Sequence, residues 1–274
     1  MSLLQVKRRF AFISKKVWYG LENAYNADIS IRETTISDLL FLYLHNSKLK
    51  SLTTIPTPHN KESEQGTDWE FWIGREKQWL RYAVQAKKYN TKKNEYSSLN
   101  HSVMDKTNNK KRKQYDILAE YAKAHQAIPI YALYNYIDAE KKTSDKINQS
   151  KLFSMLMDKG DEFDSEWGIA VTPLHNIQTS LNTKGCRNLY FLKTCEGTIP
   201  LHKLIDLTSD YLNGRKIQAF ITNFETTPKI YEKPVYYLNN DDSAEPYFIQ
   251  KDETPKLMPK RILIINIGKD DEPK

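Results

Sequence analysis

Two segments in the first third of the chain restrict what it can fold into. Gly66-Thr67-Asp68-Trp69-Glu70-Phe71-Trp72-Ile73 and Arg81-Tyr82-Ala83-Val84-Gln85-Ala86-Lys87-Lys88 both alternate polar and apolar residues with a period of two. That is the pattern of a half-buried strand. Successive strand side chains point to opposite faces, so Thr67, Trp69, Phe71 and Ile73 share one face while Asp68, Glu70 and Trp72 share the other. In the second segment Tyr82, Val84 and Ala86 oppose Ala83, Gln85 and Lys87. The seven intervening residues, 74–80, suit an antiparallel hairpin. With the apolar faces in register, two carboxylates, an amide and an ammonium gather on the opposite face.

The surrounding chain reads as α/β. Residues 8–25 are expected to be helical, with Phe12, Val17, Trp18 and Leu21 as a rough apolar stripe. A second helix is expected over residues 34–47, where Ile36, Leu39, Leu40, Tyr43 and Leu44 follow helical spacing and Thr34 or Thr35 can cap the start. Glu33 precedes Ile36 by three residues and Leu40 by seven, which puts it on the inward face. Residues 52–55 read as a short strand cut off by Pro56 and Pro58, near an edge or bend. The polar, Lys-rich stretch 90–114 is expected to be irregular, residues 115–126 helical, and the apolar run 128–134 a buried strand. Further on, strands are expected at 167–171, 189–193, 217–223, 234–238 and 261–267, and a helix at 200–211. The organisation expected is an N-terminal helical segment (1–30), a core (31–137), a linker or insertion (138–166), and C-terminal α/β elements (167–274) that either extend the first sheet or stand apart.

Composition narrows the classes. The chain has 274 residues, 41 Lys and Arg against 34 Asp and Glu, and a net charge of +7. A basic excess of this size favours anionic partners, nucleic acid first. Cys186 and Cys195 cannot frame a chain of this length with disulfides, so two reduced thiols and a cytoplasmic setting are expected. The basic N-terminus has no apolar stretch behind it, and the longest apolar run, near Ile262, is too short to span a bilayer; no membrane role is expected. The six histidines lack metal-ligand spacing. Neither a phosphate-cradling glycine loop nor a G-x-S-x-G nucleophile turn is present.

Asp68 and Glu70, two apart on one strand face, have the right chemistry to share a hard divalent cation. Gln85 and the Ala86 carbonyl add oxygens, and Lys87 would point to the same place, able to orient a water or offset phosphate charge. At these residues the sequence resembles the PD-(D/E)xK nuclease superfamily, and within it the Mrr-like branch, in which the second motif is Q-x-K. Gln85-Ala86-Lys87-Lys88-Tyr89 and Gly66-Thr67-Asp68 carry the likeness, over roughly residues 33–136. The resemblance implies a restriction-endonuclease-like core, in which a helix, three strands in an antiparallel start, a helix and a strand follow one another. It implies a Mg2+-dependent endonuclease, with Mn2+ as a substitute, acting on DNA or, alternatively, RNA. Asp68, Glu70, Gln85 and Glu33 would be the metal-site and catalytic residues with Lys87, Glu33 matching the acid of the family's upstream helix. It further implies bacterial restriction or anti-phage defence, a homodimer or larger assembly, and leaves room for an activating partner or ligand. Gln85 stands where the commonest pattern has an acid, which removes one anionic ligand.

Structural readings stand beside these. Asp68 and Lys87 form, on this view, a cross-strand ion pair, Glu70 an exposed strand acid and Glu33 a helix-dipole acid. Lys110, Lys111, Arg112 and Lys113 read as a solvated loop or, alternatively, a phosphate-contacting one, and with Lys88 and Trp72 they complete the candidate nucleic-acid surface. The rival class is a catalytically inactive nucleic-acid-binding or assembly protein on the same fold.

Overall fold

The structure, a computed structural model, describes residues 3–56, 67–105, 110–138, 165–215, 228–234, 236–237, 247–248, 259 and 261–268. The expected strand at 217–223 and most of the 138–166 linker lie outside the described residues. Two long helices open the chain, α1 (Leu3–Asn26) and α2 (Glu33–Asn46). Strands β1 (Leu52–Pro56), β2 (Trp69–Arg75) and β3 (Gln78–Lys88) follow, then a short hairpin of β4 (Ser102–Asp105) and β5 (Lys110–Lys113), helix α3 (Gln114–Ala124) and β6 (Ile128–Tyr134). After a 3-10 turn at Ser165–Gly168 come β7 (Ile169–Pro173), α4 (Leu174–Asn182), α5 (Leu189–Thr194), β8 (Ile199–Pro200) and α6 (Lys203–Leu212). The two-residue strands β9 (Tyr236–Tyr237) and β10 (Tyr247–Phe248) precede β11 (Arg261–Asn266).

Seven strands form one mixed sheet in the order β1-β11-β2-β3-β6-β7-β8. The hairpin of β2 and β3 has the register that the alternation demands: Trp69 opposes Val84, Glu70 opposes Ala83 and Trp72 opposes Arg81. Gly74, a ladder residue of β2 just before the turn, lies against Gln78 and Trp79 so closely that a Cβ there would meet their backbone, so this position needs glycine. The antiparallel start expected of β1, β2 and β3 is corrected in one respect. β11 inserts between β1 and β2, antiparallel to the first and parallel to the second. Ile262, Leu263 and Ile265 are buried, so β11 belongs inside the sheet, while β1, closed by Pro56, takes the edge. The C-terminal elements thus extend the first sheet through β7, β8 and β11.

One face of the sheet carries Trp69, Phe71, Ile73, Tyr82 and Val84, all buried, under α1, α2 and α6. Phe10 meets Phe71 edge-on, Phe41 meets Trp69, and Tyr82 bonds the Thr208 hydroxyl of α6 at 2.7 Å. Each such side chain is worth roughly 1.5–3 kcal/mol of burial. Gly168 packs against the Ser14 carbonyl of α1, leaving no room for a Cβ. The opposite face, with Glu70, Trp72, Arg81, Gln85, Lys87 and Tyr131, lies beneath α3, which contacts β3 and β6.

Several local expectations change. Residues 189–193, expected as a strand, form α5, capped by Asn188 Oδ1 accepting from the Phe191 N–H at 2.9 Å. A four-residue apolar run does not by itself separate strand from helix. Helix α4 lies where no element was expected. Helix α2 starts at Glu33 behind Arg32, with no side-chain cap from Thr34 or Thr35, and Leu39, expected on the inward stripe, is 60% exposed. The stretch 90–114 is more ordered than its composition suggests: Tyr96 and Leu99 are fully buried, and its end forms the hairpin β4–β5.

Candidate functional site

The site is built where β2 begins and β3 ends. β2 starts pairing at Trp69, and Asp68 carries the ladder one step further with its side chain. The Asp68 N–H donates to the Val84 carbonyl at 2.8 Å, and the Ala86 N–H donates to Asp68 Oδ2 at 2.8 Å. Gln85 Nε2 donates to the same carboxylate oxygen. Gln85 Oε1 is buried and has no hydrogen-bond partner among the described residues.

Lys87, two residues on, is 3% exposed. Its ammonium donates to Gln114 Oε1, on the first residue of α3, at 2.7 Å, and lies 3.8 Å from Glu33 Oε2. Glu33 opens α2 and also ties down the end of β3: its Oε1 accepts from the Lys88 N–H at 2.9 Å and the Ser98 hydroxyl at 3.0 Å. Lys88 Nζ donates to the Ile31 carbonyl at 2.6 Å, and burial pulls its pKa below the usual lysine value while Glu33 pulls the other way. Asp68 with Gln85, and Lys87 with Glu33 and Gln114, thus form two contact groups at successive same-face positions of β3.

Glu70 and Trp72 are not available as expected. Glu70 is fully buried, and Arg81 Nε and Nη2 both reach Oε1 at 2.8 Å. The Tyr121 hydroxyl donates to that oxygen at 2.7 Å, and Trp72 Nε1 donates to Oε2 at 3.1 Å. Both carboxylate oxygens are thus committed to a charged, hydrogen-bonded cluster, the condition a buried charge requires. Trp72, expected as a base-stacking residue, is itself buried, with the Arg81 guanidinium over its ring at 5.2 Å and Tyr231 against its edge. A strand face reads as polar in sequence whether solvent or protein covers it, and here Tyr121 of α3 closes over Glu70 while Tyr231 packs on Trp72.

The basic run is a strand rather than an irregular loop. β5 carries Lys110, Lys111, Arg112 and Lys113 and leads straight into Gln114. Lys111 is exposed, Arg112 pairs with Glu120 of α3, and Lys113 Nζ bonds Asn100 Oδ1 at 2.7 Å. A cationic edge thus adjoins the residue that holds Lys87.

Two residues escaped the sequence reading. Gln114 is one, its position given away only by tertiary contact. Tyr131 is the other, the cross-strand partner of Gln85, buried, with a hydroxyl that has no hydrogen-bond partner among the described residues. Burial raises its pKa strongly, and Asp68, Tyr115 and Asp116 add to the rise. A tyrosine in an otherwise apolar buried strand is itself a signal, because its hydroxyl needs a partner.

Whether these residues suit a divalent cation is decided by the donor set. Mg2+ takes oxygen ligands and keeps several waters. The Asp68 carboxylate offers one anion, of which Oδ2 already accepts from the Ala86 N–H and from Gln85 Nε2. Among the described residues, no group of three His, Cys, Asp or Glu could hold a metal.

These features define an α/β protein built on one mixed seven-stranded sheet, with a charged cluster at the junction of β2, β3 and α3. By sequence the chain belongs to the Family of unknown function (DUF6615), which it matches over residues 6–270. No curated protein and no solved structure matches it. Among the described residues no helix is long and apolar enough to cross a membrane.

Proposed function

We propose that the protein is a metal-dependent nuclease of the PD-(D/E)xK type, on a restriction-endonuclease-like core, hydrolysing phosphodiester bonds in nucleic acid, DNA first. The single observation that carries the reading is that Asp68 bonds Gln85 while Lys87, two residues along the same face of β3, is held between Glu33 and Gln114. Asp68 would be the principal ligand of Mg2+ or Mn2+, with Gln85, whose amide nitrogen faces that carboxylate, as a water partner. A divalent cation so held supplies charge neutralisation at phosphorus and a water more readily deprotonated than in bulk.

The chain's own residues do the rest. Lys87, nearly buried and fixed at two points, presents a cation whose direction is set before substrate arrives, the preorganisation on which electrostatic catalysis depends. Glu33 is an auxiliary acid that acts through Lys87. Glu70 is assigned a structural role. The edge strand β5 tracks the phosphate backbone by charge, a sequence-independent form of attachment. In the overall reaction a water oxygen bonds to phosphorus, the bond to one sugar oxygen breaks, and that oxygen gains a proton. Restriction or anti-phage defence is the setting that fits such an activity.

A second reading has its own support: with Glu70 committed to Arg81 and Tyr121, the acid count is low for a nuclease. On that reading the protein binds nucleic acid without cutting it.

The deciding experiment is cleavage of plasmid and single-stranded substrates with Mg2+ or Mn2+, by wild type, Lys87→Ala and Asp68→Asn. Asparagine keeps the acceptor that closes the ladder, so loss of cutting is separable from loss of fold. Metal-dependent cutting lost in both variants is the expected result. Equal cutting by all three would remove the site from the mechanism. Binding without cutting, and no melting-temperature rise with Mn2+, would favour the second reading.

A further inference from the structure

The face that carries Asp68, Gln85 and Lys87 contains one more polar side chain that none of the contacts above employ. Tyr131 lies directly across from Gln85 in the parallel pairing of β3 with β6. Its side chain is fully buried, and its hydroxyl has no hydrogen-bond partner among the described residues. The neighbouring Gln85 Oε1 is also buried and also has none. A buried hydroxyl or amide oxygen without a partner costs about 1–3 kcal/mol, so two on directly paired residues call for a partner they share. By contrast, Tyr134, on the other face of the same strand, satisfies its hydroxyl against Ser37 at 2.8 Å.

What would satisfy both is constrained. Gln85 Oε1 can only accept, whereas the Tyr131 hydroxyl can donate or accept. Asp68 stands on the far side of Gln85, joined to it by the Gln85 amide. The first turn of α3 borders the same space, since Tyr115 and Asp116 of that turn are near enough to influence the Tyr131 phenol. A single water meets these demands: it donates to Gln85 Oε1 and accepts from Tyr131, with a second proton left to give. Buried waters typically make about three hydrogen bonds to groups of this kind.

We propose that Tyr131 is a positioning residue of this site: with Gln85 Oε1 it holds one water beside the Asp68 carboxylate. The inference rests on the nuclease reading for the use to which that water is put. Tyr131 sets the water's orientation and fixes the Gln85 amide, so that its oxygen faces the water and its nitrogen faces Asp68. Outer groups of this kind commonly account for 10–100-fold in metal affinity or activity when removed.

Tyr131→Phe isolates the hydroxyl. It leaves the ring, deletes a group that has no partner among the described residues, and should not lower the melting temperature. Cleavage should fall about 10–100-fold, and the melting-temperature rise produced by Mn2+ alone should shrink, a readout that a merely structural tyrosine would not move. A crystal structure at a resolution that reveals ordered water should hold a water between Tyr131 and Gln85 in wild type and lose it in the variant. Lys87→Ala, run alongside, separates the two claims. If Lys87→Ala stops cutting while Tyr131→Phe cuts like wild type with an unchanged Mn2+ response, the nuclease reading stands and the role of Tyr131 is overturned. If wild type neither cuts nor responds to Mn2+, the nuclease reading fails and this inference falls with it.

Discussion

Lys87 Nζ donates to Gln114 Oε1 at 2.7 Å, joining the end of β3 to the first residue of α3. The bond matters because a lysine side chain has four rotatable carbons and no direction of its own. Gln114 on one side and Glu33 on the other give it one.

Gln114→Ala should therefore lower metal-dependent cleavage by about 10–100-fold, the usual scale for a residue that orients a working group, while the melting temperature changes little. Gln114→Glu keeps an oxygen acceptor and should retain most activity. Single-turnover cleavage rates of the two variants check this. A Gln114→Ala protein that cuts at the wild-type rate would separate the contact from function.

Glu70 should prove to be a stability residue. Removing one partner of a buried ion pair strands the other, so Glu70→Ala should destabilise the protein by about 3–5 kcal/mol, with Arg81 left uncompensated. Urea unfolding measures it. If the loss is within about 0.5 kcal/mol, as for an ordinary surface change, the buried cluster is not structural and Glu70 returns as a candidate ligand.

The strand β5 should contribute through charge alone. Lys111→Ala should weaken nucleic-acid binding to all sequences alike and reduce the slope of log affinity against log salt by about 1, as expected for one phosphate contact. Titrations at several salt concentrations test it. An unchanged slope would place the nucleic acid elsewhere.

His202 should make stability fall in mild acid. Burial lowers its pKa beneath the ordinary 6.5, with Lys203 and Lys7 in the same direction and Glu166 and Asp206 opposing. In the unfolded chain the imidazole takes its proton near pH 6.5, before the folded protein does, so stability is lost as pH falls through that value. Urea midpoints across this range should fall less steeply in His202→Gln than in wild type. Parallel curves would assign the acid loss to other groups.

Much of the frame was legible because backbone geometry is local. A period of two put Trp69, Phe71, Tyr82 and Val84 in the core and Asp68, Gln85 and Lys87 together on the other face, as observed. The apolar runs of β6 and β11 announced strands for the same reason. The periodicity of α2 was sound around Ile36, Leu40 and Leu44, although Leu39 points outward. Local signals failed where the run was short: Leu189 to Leu192 is equally good as one turn of helix or a brief strand.

By itself, then, the sequence determined the longer, strongly periodic helices and strands and which of their residues share a face, since both follow from fixed side-chain periods. Only tertiary structure decided who meets whom. It set β11 between β1 and β2, turned Glu70 toward Arg81 and Tyr121, fixed Lys87 against Gln114, and left Tyr131 beside Gln85. Those outcomes depend on burying every apolar face and pairing every buried charge at once, a condition on the whole chain that no local stretch of sequence states.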